Sequence, residues 1–405
     1  MDGFGRFYRL HCHVRHYPWG CRAHGERQPY IADLLGESAA PGQPWAELWL
    51  GAHPSLSAEV VTESGEENLA TFIDAHPEEV LGATTLAAGF QTLPFLLKVL
   101  SCERPLSIQS HPDKQNAVRL HALRPEKYPD DNHKPELLIA LTDFRALAGF
   151  RELDAVLPQL SRLKSLAPWS AVWQEASELT LRVLCETLLL FPGSLMRPML
   201  RALRRELSLL SDVTFEDRLC LDLLDSAPAD RGVLFAYILN RVKLRPGEAM
   251  FIPPGEPHAY LRGTGMECMA NSDNVIRVGL TPKPIDVPAL VSTVKFTARA
   301  VQPDCGEEMA PGQQLYRTPA QEFQALMLRD ASLDIAQRPV VLGVFLVLSG
   351  AVELSAPGMT PCVAKRGSSW LRPAALTAGS LRPLESNTCV VWAEGVVSDQ
   401  AEERT

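Results

Sequence analysis

The stretch Gly-Glu-Ala-Met-Phe-Ile-Pro-Pro-Gly-Glu-Pro-His at 247–258 decides how the fold is read. A short apolar run, Ala249 to Ile252, leads into Pro253, Gly255 and finally His258. Proline fixes φ and glycine admits a left-handed backbone, so the spacing predicts a strand, a tight turn and a second strand. The expectation is a hairpin with His258 at the head of its second arm.

Working outward from this turn, strand texture recurs on both sides. Pro-Trp-Ala-Glu-Leu-Trp-Leu-Gly at 44–51 and Leu-Pro-Phe-Leu-Leu-Lys-Val-Leu at 93–100 are apolar runs bounded by Gly or Pro. Leu-Phe-Ala-Tyr-Ile-Leu at 234–239 reads as a further strand. Between about Glu152 and Leu224 the texture changes to Leu-rich stretches with helical periodicity, and Leu200, Leu203, Leu207 and Leu210 recur on one face. Arg197, Arg201, Arg204 and Arg205 then form that segment's solvated side, not a nucleic-acid patch. The spacing of Gly247, Pro253, Gly255 and His258 resembles the second motif of cupin barrels, departing from it at Arg262, where an Asn often stands. Near the C-terminus, Val-Phe-Leu-Val-Leu-Ser-Gly-Ala-Val-Glu-Leu at 344–354 alternates like a strand, and Gly367 precedes Pro373 without a following Gly or His. The fold expected is mainly β with an α-helical insertion: two cupin-like (jelly-roll) barrels plus a helical domain. Residues 1–151 and 231–300 would build the catalytic barrel, 152–230 the helical insertion, and 301–405 a second barrel without a metal site.

Composition narrows the function. A chain of 405 residues with 46% apolar and 21% charged residues has ample capacity for a core. Its net charge of −9 argues against a general nucleic-acid surface but leaves room for a local pocket that takes a small anion. The absence of an 18-residue apolar run and of a secretory apolar segment at the N-terminus leads us to expect neither membrane insertion nor export. Nine cysteines without CxxC pairs fit a reducing cytoplasm.

Four residues suggest a metal. Gln109 and His111 are two apart, so on a strand their side chains leave one face. Glu136 follows a stiffening Pro135, and His258 follows the turn described above. Each alone is ordinarily a hydrogen-bonded or surface residue. Together they offer two imidazole nitrogens and two oxygens, a set that suits Zn²⁺ at an open catalytic site better than a Cys-rich structural one. Zinc at +2 with one carboxylate leaves the shell at +1, a sign that stabilises a polarised carbonyl or an enediolate. His11, His13 and His16 form a decoy cluster with no nearby carboxylate, expected on an exposed first strand.

Three segments carry a wider likeness: Pro-Leu-Ser-Ile-Gln-Ser-His-Pro-Asp-Lys at 105–114, Tyr-Pro-Asp-Asp-Asn-His-Lys-Pro-Glu at 128–136, and the run from His258 to Lys283. With Tyr-Pro-Trp-Gly at 17–20 and Ala-Glu-Leu-Trp-Leu-Gly at 46–51, they make the chain resemble the type I mannose-6-phosphate isomerases, zinc-dependent cupin enzymes of cytoplasmic sugar metabolism. The resemblance implies one Zn²⁺ held by Gln109, His111, Glu136 and His258, with Arg277 as catalytic arginine. The family usually reads Arg-Ala-Gly where this chain has Arg277, Val278 and Gly279, which puts the placing of the arginine in question. The other reading of Arg277 is an ion pair with Asp273 or Asp286. Lys134, Glu267 and a water or side chain at the metal are candidates for the group that moves the carbon-bound proton. Ser107, Lys98 and Lys283 are candidates for the phosphate, and Tyr260 and Trp19 for the remaining substrate contacts. The implied reaction interconverts mannose 6-phosphate and fructose 6-phosphate through a cis-enediol, in a monomer. A metal-dependent cupin dioxygenase and a non-catalytic sugar-phosphate binder are the alternatives.

Overall fold

A computed structural model describes residues 3–396. The strands Ala249–Ile252 and His258–Ala270 flank the turn as expected, and Gly255 there has φ +86°. They do not form a hairpin. The strand Glu136–Ala140 runs between them, pairing Glu136 with Ile252 on one side and with Met269 on the other. A connection holding Pro253, Pro254 and Pro257 is too long and stiff for a two-residue hairpin turn, and the gap it leaves is one strand wide. The consequence is functional, because Glu136 is brought into the sheet beside the strand that His258 begins.

The long strand His258–Ala270 organises a ten-stranded sheet among the described residues. Its first half pairs with Phe144–Phe150 and its second half with Phe95–Cys102, which in turn pairs with Glu47–Leu50. The helical segment leaves and re-enters this sheet at one place. Phe144–Phe150 and Leu239–Leu244 are direct antiparallel neighbours, and the helices lie between them in sequence. Helix Gly193–Leu209 buries Leu200, Leu203 and Leu207 and exposes all four arginines. Leu210 falls outside it, in extended backbone that ends the helix. Full burial of each of these leucines is worth roughly 2 kcal/mol, enough to dock a helix whose other face is charged.

Leu-Phe-Ala-Tyr-Ile-Leu departs from expectation: Phe235–Ile238 is a single helical turn, and only Leu239 belongs to the following strand. All six side chains are buried, and a run buried on every side carries no period that separates strand from helix.

The C-terminal strands Gln324–Arg329, Gly343–Ser349, Ser369–Arg372 and Cys389–Glu394 belong to a nine-stranded sheet. Its neighbours include Tyr8–His11 and Glu59–Thr62 from the N-terminal part, with Tyr8 opposite Leu371. A four-stranded sheet covers it over a core of Phe345, Leu354, Trp370 and Trp392. The protein is thus mainly β with several helices. Among the described residues no single helix is long and apolar enough to cross a membrane.

Candidate metal centre

Gln109, His258 and Arg277 stand side by side. The short strand Ile108–Ser110 pairs Gln109 with His258 on one edge and with Arg277 on the other, and directly opposed antiparallel residues share a face. His111 comes immediately after this strand, and its carbonyl accepts the Gly255 N–H at 2.7 Å, which ties it to the turn before His258. Glu136 enters from the interposed strand. Its Oε1 lies 3.2 Å from His111 Nε2 and its Oε2 lies 3.3 Å from His258 Nε2. One ligand atom from each of the three residues falls within 4.8 Å of the others, and all three side chains are buried.

The backbone sets both imidazoles. His111 Nδ1 is 2.7 Å from the Asn274 carbonyl and His258 Nδ1 is 3.1 Å from the Glu256 carbonyl. A carbonyl only accepts, so each Nδ1 carries a proton, and in its neutral form each ring turns an Nε2 lone pair inward. Neither Nε2 makes a hydrogen bond. Two buried lone pairs aimed at one carboxylate repel it, and a divalent cation among them reverses the sign of the interaction. The donor set therefore fits zinc, with outer hydrogen bonds of the kind that orient metal-bound histidines.

Burial pushes the Glu136 carboxyl up, but His111 and the Lys134 ammonium outweigh it and hold the group well below its ordinary range. Burial dominates at His111 and lowers it. At His258 burial also pushes down, yet Glu136 prevails and raises the imidazole. A proton and a metal compete for the same Nε2, so protonation of the imidazoles releases the metal. We expect zinc to be retained at about pH 8 and lost progressively as pH falls towards about 5, measurable as metal content after dialysis. With a competing chelator present, retention unchanged over that interval would count against imidazole ligation.

Around the cluster lie most of the other predicted residues. Lys134 Nζ is 3.3 Å from Glu136 Oε1, and the Tyr260 hydroxyl donates to Glu136 Oε2 at 3.2 Å. Burial first, then Glu267 and Glu136, keep that phenol well above its ordinary value, so it stays a donor. Lys98 Nζ meets Glu267 at 3.0 Å and Glu47 at 4.0 Å, under the ring of Trp49. Its ammonium is buried against two carboxylates and does not stand open to solvent. Arg277 is half-buried and donates to Ser107 Oγ at 3.2 Å. Among the described residues it makes no ion pair: Asp286 is taken by Arg124 and Lys127, and Asp273 faces His53. Trp19 stacks on Tyr17 and packs at the edge of the apolar cluster that contains Tyr260, while Lys283 is exposed in the turn beyond Arg277. His11 pairs with Glu66 and His13 with Glu59, while His16 meets the Pro44 carbonyl, so the N-terminal histidines form no cluster. A separate cavity of about 720 Å³, lined by Arg6, Phe7, Arg9, Met359 and Trp370 among others, contains none of the predicted site residues.

Two contributors escaped the sequence reading, Asn274 and Glu256. Each acts on a histidine through its backbone carbonyl, which side-chain identity does not reveal. The Asn274 side chain is legible only in retrospect: its amide donates to the carbonyls of Asp130 and Asn132, latching this loop to the segment that leads to Glu136.

Comparison with known proteins follows this geometry. Residues 7–153 match the sequence model of the phosphomannose isomerase type I catalytic domain. Mannose-6-phosphate isomerase 1 of Arabidopsis thaliana is 35% identical, over 88% of this chain and 88% of that protein. The Homo sapiens mannose-6-phosphate isomerase is 34% identical over 89% and 92%, and that of Escherichia coli (strain K12) 37% over 79% and 82%. A zinc-bound crystal structure of mannose 6-phosphate isomerase superposes with a TM-score of 0.83 at 30% identity, covering 96% of this chain and 99% of the other. A crystal structure of a phosphomannose isomerase variant from Salmonella typhimurium gives 0.84 with the same identity and coverage. With relatives this similar over nearly their whole length, the chain belongs to the type I phosphomannose isomerases.

Proposed function

We infer that the protein is a zinc-dependent aldose–ketose isomerase that interconverts mannose 6-phosphate and fructose 6-phosphate. The observation that carries this reading is the buried His111, Glu136 and His258 cluster with Arg277, which makes no ion pair among the described residues, on the same wall, in a chain of this family. Gln109, His111, Glu136 and His258 hold the metal, one ion per chain. When bound, zinc supplies Lewis acidity that favours negative charge on the substrate's C1 and C2 oxygens.

The protein's own groups handle the protons. Arg277 donates from its guanidinium to those oxygens and helps carry the oxygen-bound proton; burial lowers its pKa from the ordinary value, which eases that role. The carbon-bound proton moves between C2 and C1 on one face of the cis-enediol. Glu267, whose carboxylate is held by Lys98, and Lys134, beside Glu136, are the groups we assign to it. Ser107 and Lys283 take the phosphate, with Tyr260 and Trp19 as walls. The carboxylate partners of Lys98 lead us to give it the anchoring of Glu267 and not a place on the phosphate.

The same reading extends to the architecture. Most of residues 1–151 with 231–300 make the catalytic cupin-like barrel and 152–230 the helical insertion, while 301–405 make a second cupin-like barrel whose sheet takes in the N-terminal strands Tyr8–His11 and Glu59–Thr62. The pairing of Phe144–Phe150 with Leu239–Leu244 supports the insertion, and the lack of any histidine in 301–405 supports a second unit without a metal site. Nine cysteines that form no disulfide favour the cytoplasm. Neither alternative gains support: a dioxygenase shell ordinarily opens with His-x-His, where this chain has Gln109, and the similar proteins are isomerases.

Incubation with mannose 6-phosphate should yield fructose 6-phosphate in a coupled assay, with about one zinc per chain by elemental analysis. A chelator should remove activity and zinc restore it. Binding without turnover marks a sensor, and iron with oxygen uptake marks an oxygenase.

A further inference from the structure

The strand that carries Arg277 is held from behind by the end of the helical segment. Strand Ile276–Gly279 pairs Arg277 with Gln109 and Gly279 with Ile108, so Val278 is an extra, bulged residue. The bulge turns Arg277 towards the metal ligands' face and Val278 away from it. Val278 is buried among Phe150, Cys185, Leu189, Phe235, Leu290 and Phe296, in a recess with no room for a water. The valine beside the arginine thus fills space to which helix Leu181–Leu190 contributes Cys185 and Leu189.

Backbone contacts continue the same hold. A Cβ on Gly279 would meet Gly232 Cα at 2.6 Å, and one on Gly232 would meet Leu280 N at 2.5 Å, so the two chains touch where only glycine fits. Leu280 has φ +54°, a left-handed conformation that a leucine adopts only when its surroundings impose it. Asp230 imposes it. Its Oδ1 accepts the Gly232 N–H at 2.7 Å and its Oδ2 accepts the Thr281 N–H at 2.9 Å, bracketing the Gly232–Gly279 contact with one carboxylate. Arg231 in turn donates to the Leu188 carbonyl at the end of helix Leu181–Leu190, so the bracket is fixed to the helices.

We propose that Asp230 is a positioning residue for Arg277, setting through the Leu280 kink the angle at which the guanidinium enters the cavity. The helical segment then acts as the rear mount of the arginine. This rests on the reading that Arg277 acts on the substrate.

The test uses the full-length zinc enzyme with Asp230→Ala, Asp230→Asn and Arg277→Ala, alone and combined. Measured are kcat, KM for mannose 6-phosphate, zinc per chain and the thermal midpoint. Asp230→Ala should lower kcat about 10- to 100-fold with zinc still at one per chain and KM changed less than about threefold, since small misplacements of a reacting group cost about that much. Asp230→Asn keeps one acceptor oxygen and should recover part of the loss, and it serves if the alanine variant does not fold. In the Arg277→Ala background the loss of Asp230 should cost less than about threefold more, because no guanidinium remains to misplace. The proposal is overturned if kcat of Asp230→Ala stays within about twofold of the parent, if its loss follows loss of zinc, or if the loss is equally large without the arginine. Arg277→Ala turning over at the parent rate would instead remove the functional reading on which the proposal stands.

Discussion

Replacing Glu136 by alanine is expected to strip the zinc and bring turnover down to that of the metal-free protein. Glu136 is the single anion of the cluster, bridging towards both imidazoles while accepting the Tyr260 hydroxyl and pairing with Lys134. Its removal leaves the buried Lys134 ammonium facing two imidazoles with no counter-charge, a situation that costs about 3–5 kcal/mol when one partner of a buried pair is deleted. That penalty falls on the metal-binding state. Lewis-acid stabilisation is worth several kcal/mol, and each 1.4 kcal/mol is about tenfold, so kcat/KM should drop by roughly three to four orders of magnitude. Elemental analysis and the coupled assay check it together. A variant with full zinc and activity within about tenfold of the parent would show that Glu136 is not a ligand.

The second large effect separates the metal from the arginine. Arg277→Ala should lower kcat by about 10²–10³-fold, the usual cost of deleting one preorganised donor to developing charge, with zinc still at one per chain. Zinc stays because Arg277 contacts Ser107 and none of the imidazoles or Glu136. Arg277→Lys should recover little, since an ammonium cannot present the planar fork that meets two oxygens at once. Loss of zinc in either variant would make the arginine a support for the metal ligands and not a participant in the chemistry.

The sequence made the three clustered residues His111, Glu136 and His258 candidates because each stands beside a local mark, a two-residue spacing, a proline or a Pro/Gly turn. Gln109 and His111 are two residues apart, and Pro135 and the turn at Gly255 mark where Glu136 and His258 begin their strands. What joins them is not local. Insertion of Glu136–Ala140 between two strands expected to pair with each other depends on contacts more than a hundred residues apart. The carboxylate partners of Lys98 have the same origin: Glu267 is 169 residues away, and its meeting with Lys98 is a cross-strand register that no window of sequence contains. The tautomers of His111 and His258 rest on two carbonyls, groups that every residue carries and that composition therefore cannot single out. Leu-Phe-Ala-Tyr-Ile-Leu shows the remaining limit, an apolar run whose total burial erases its period.

Tyr8–His11 lies against Ser369–Arg372 in one sheet, so a strand made among the first waits on a strand made among the last. During synthesis at about 5–20 residues per second, the gap between the two amounts to tens of seconds. Through that interval the edge of Tyr8–His11 that meets Ser369–Arg372 in the finished protein lacks its partner strand. Assembly of this sheet is therefore a late event, completed only once strands from both ends of the sequence are available.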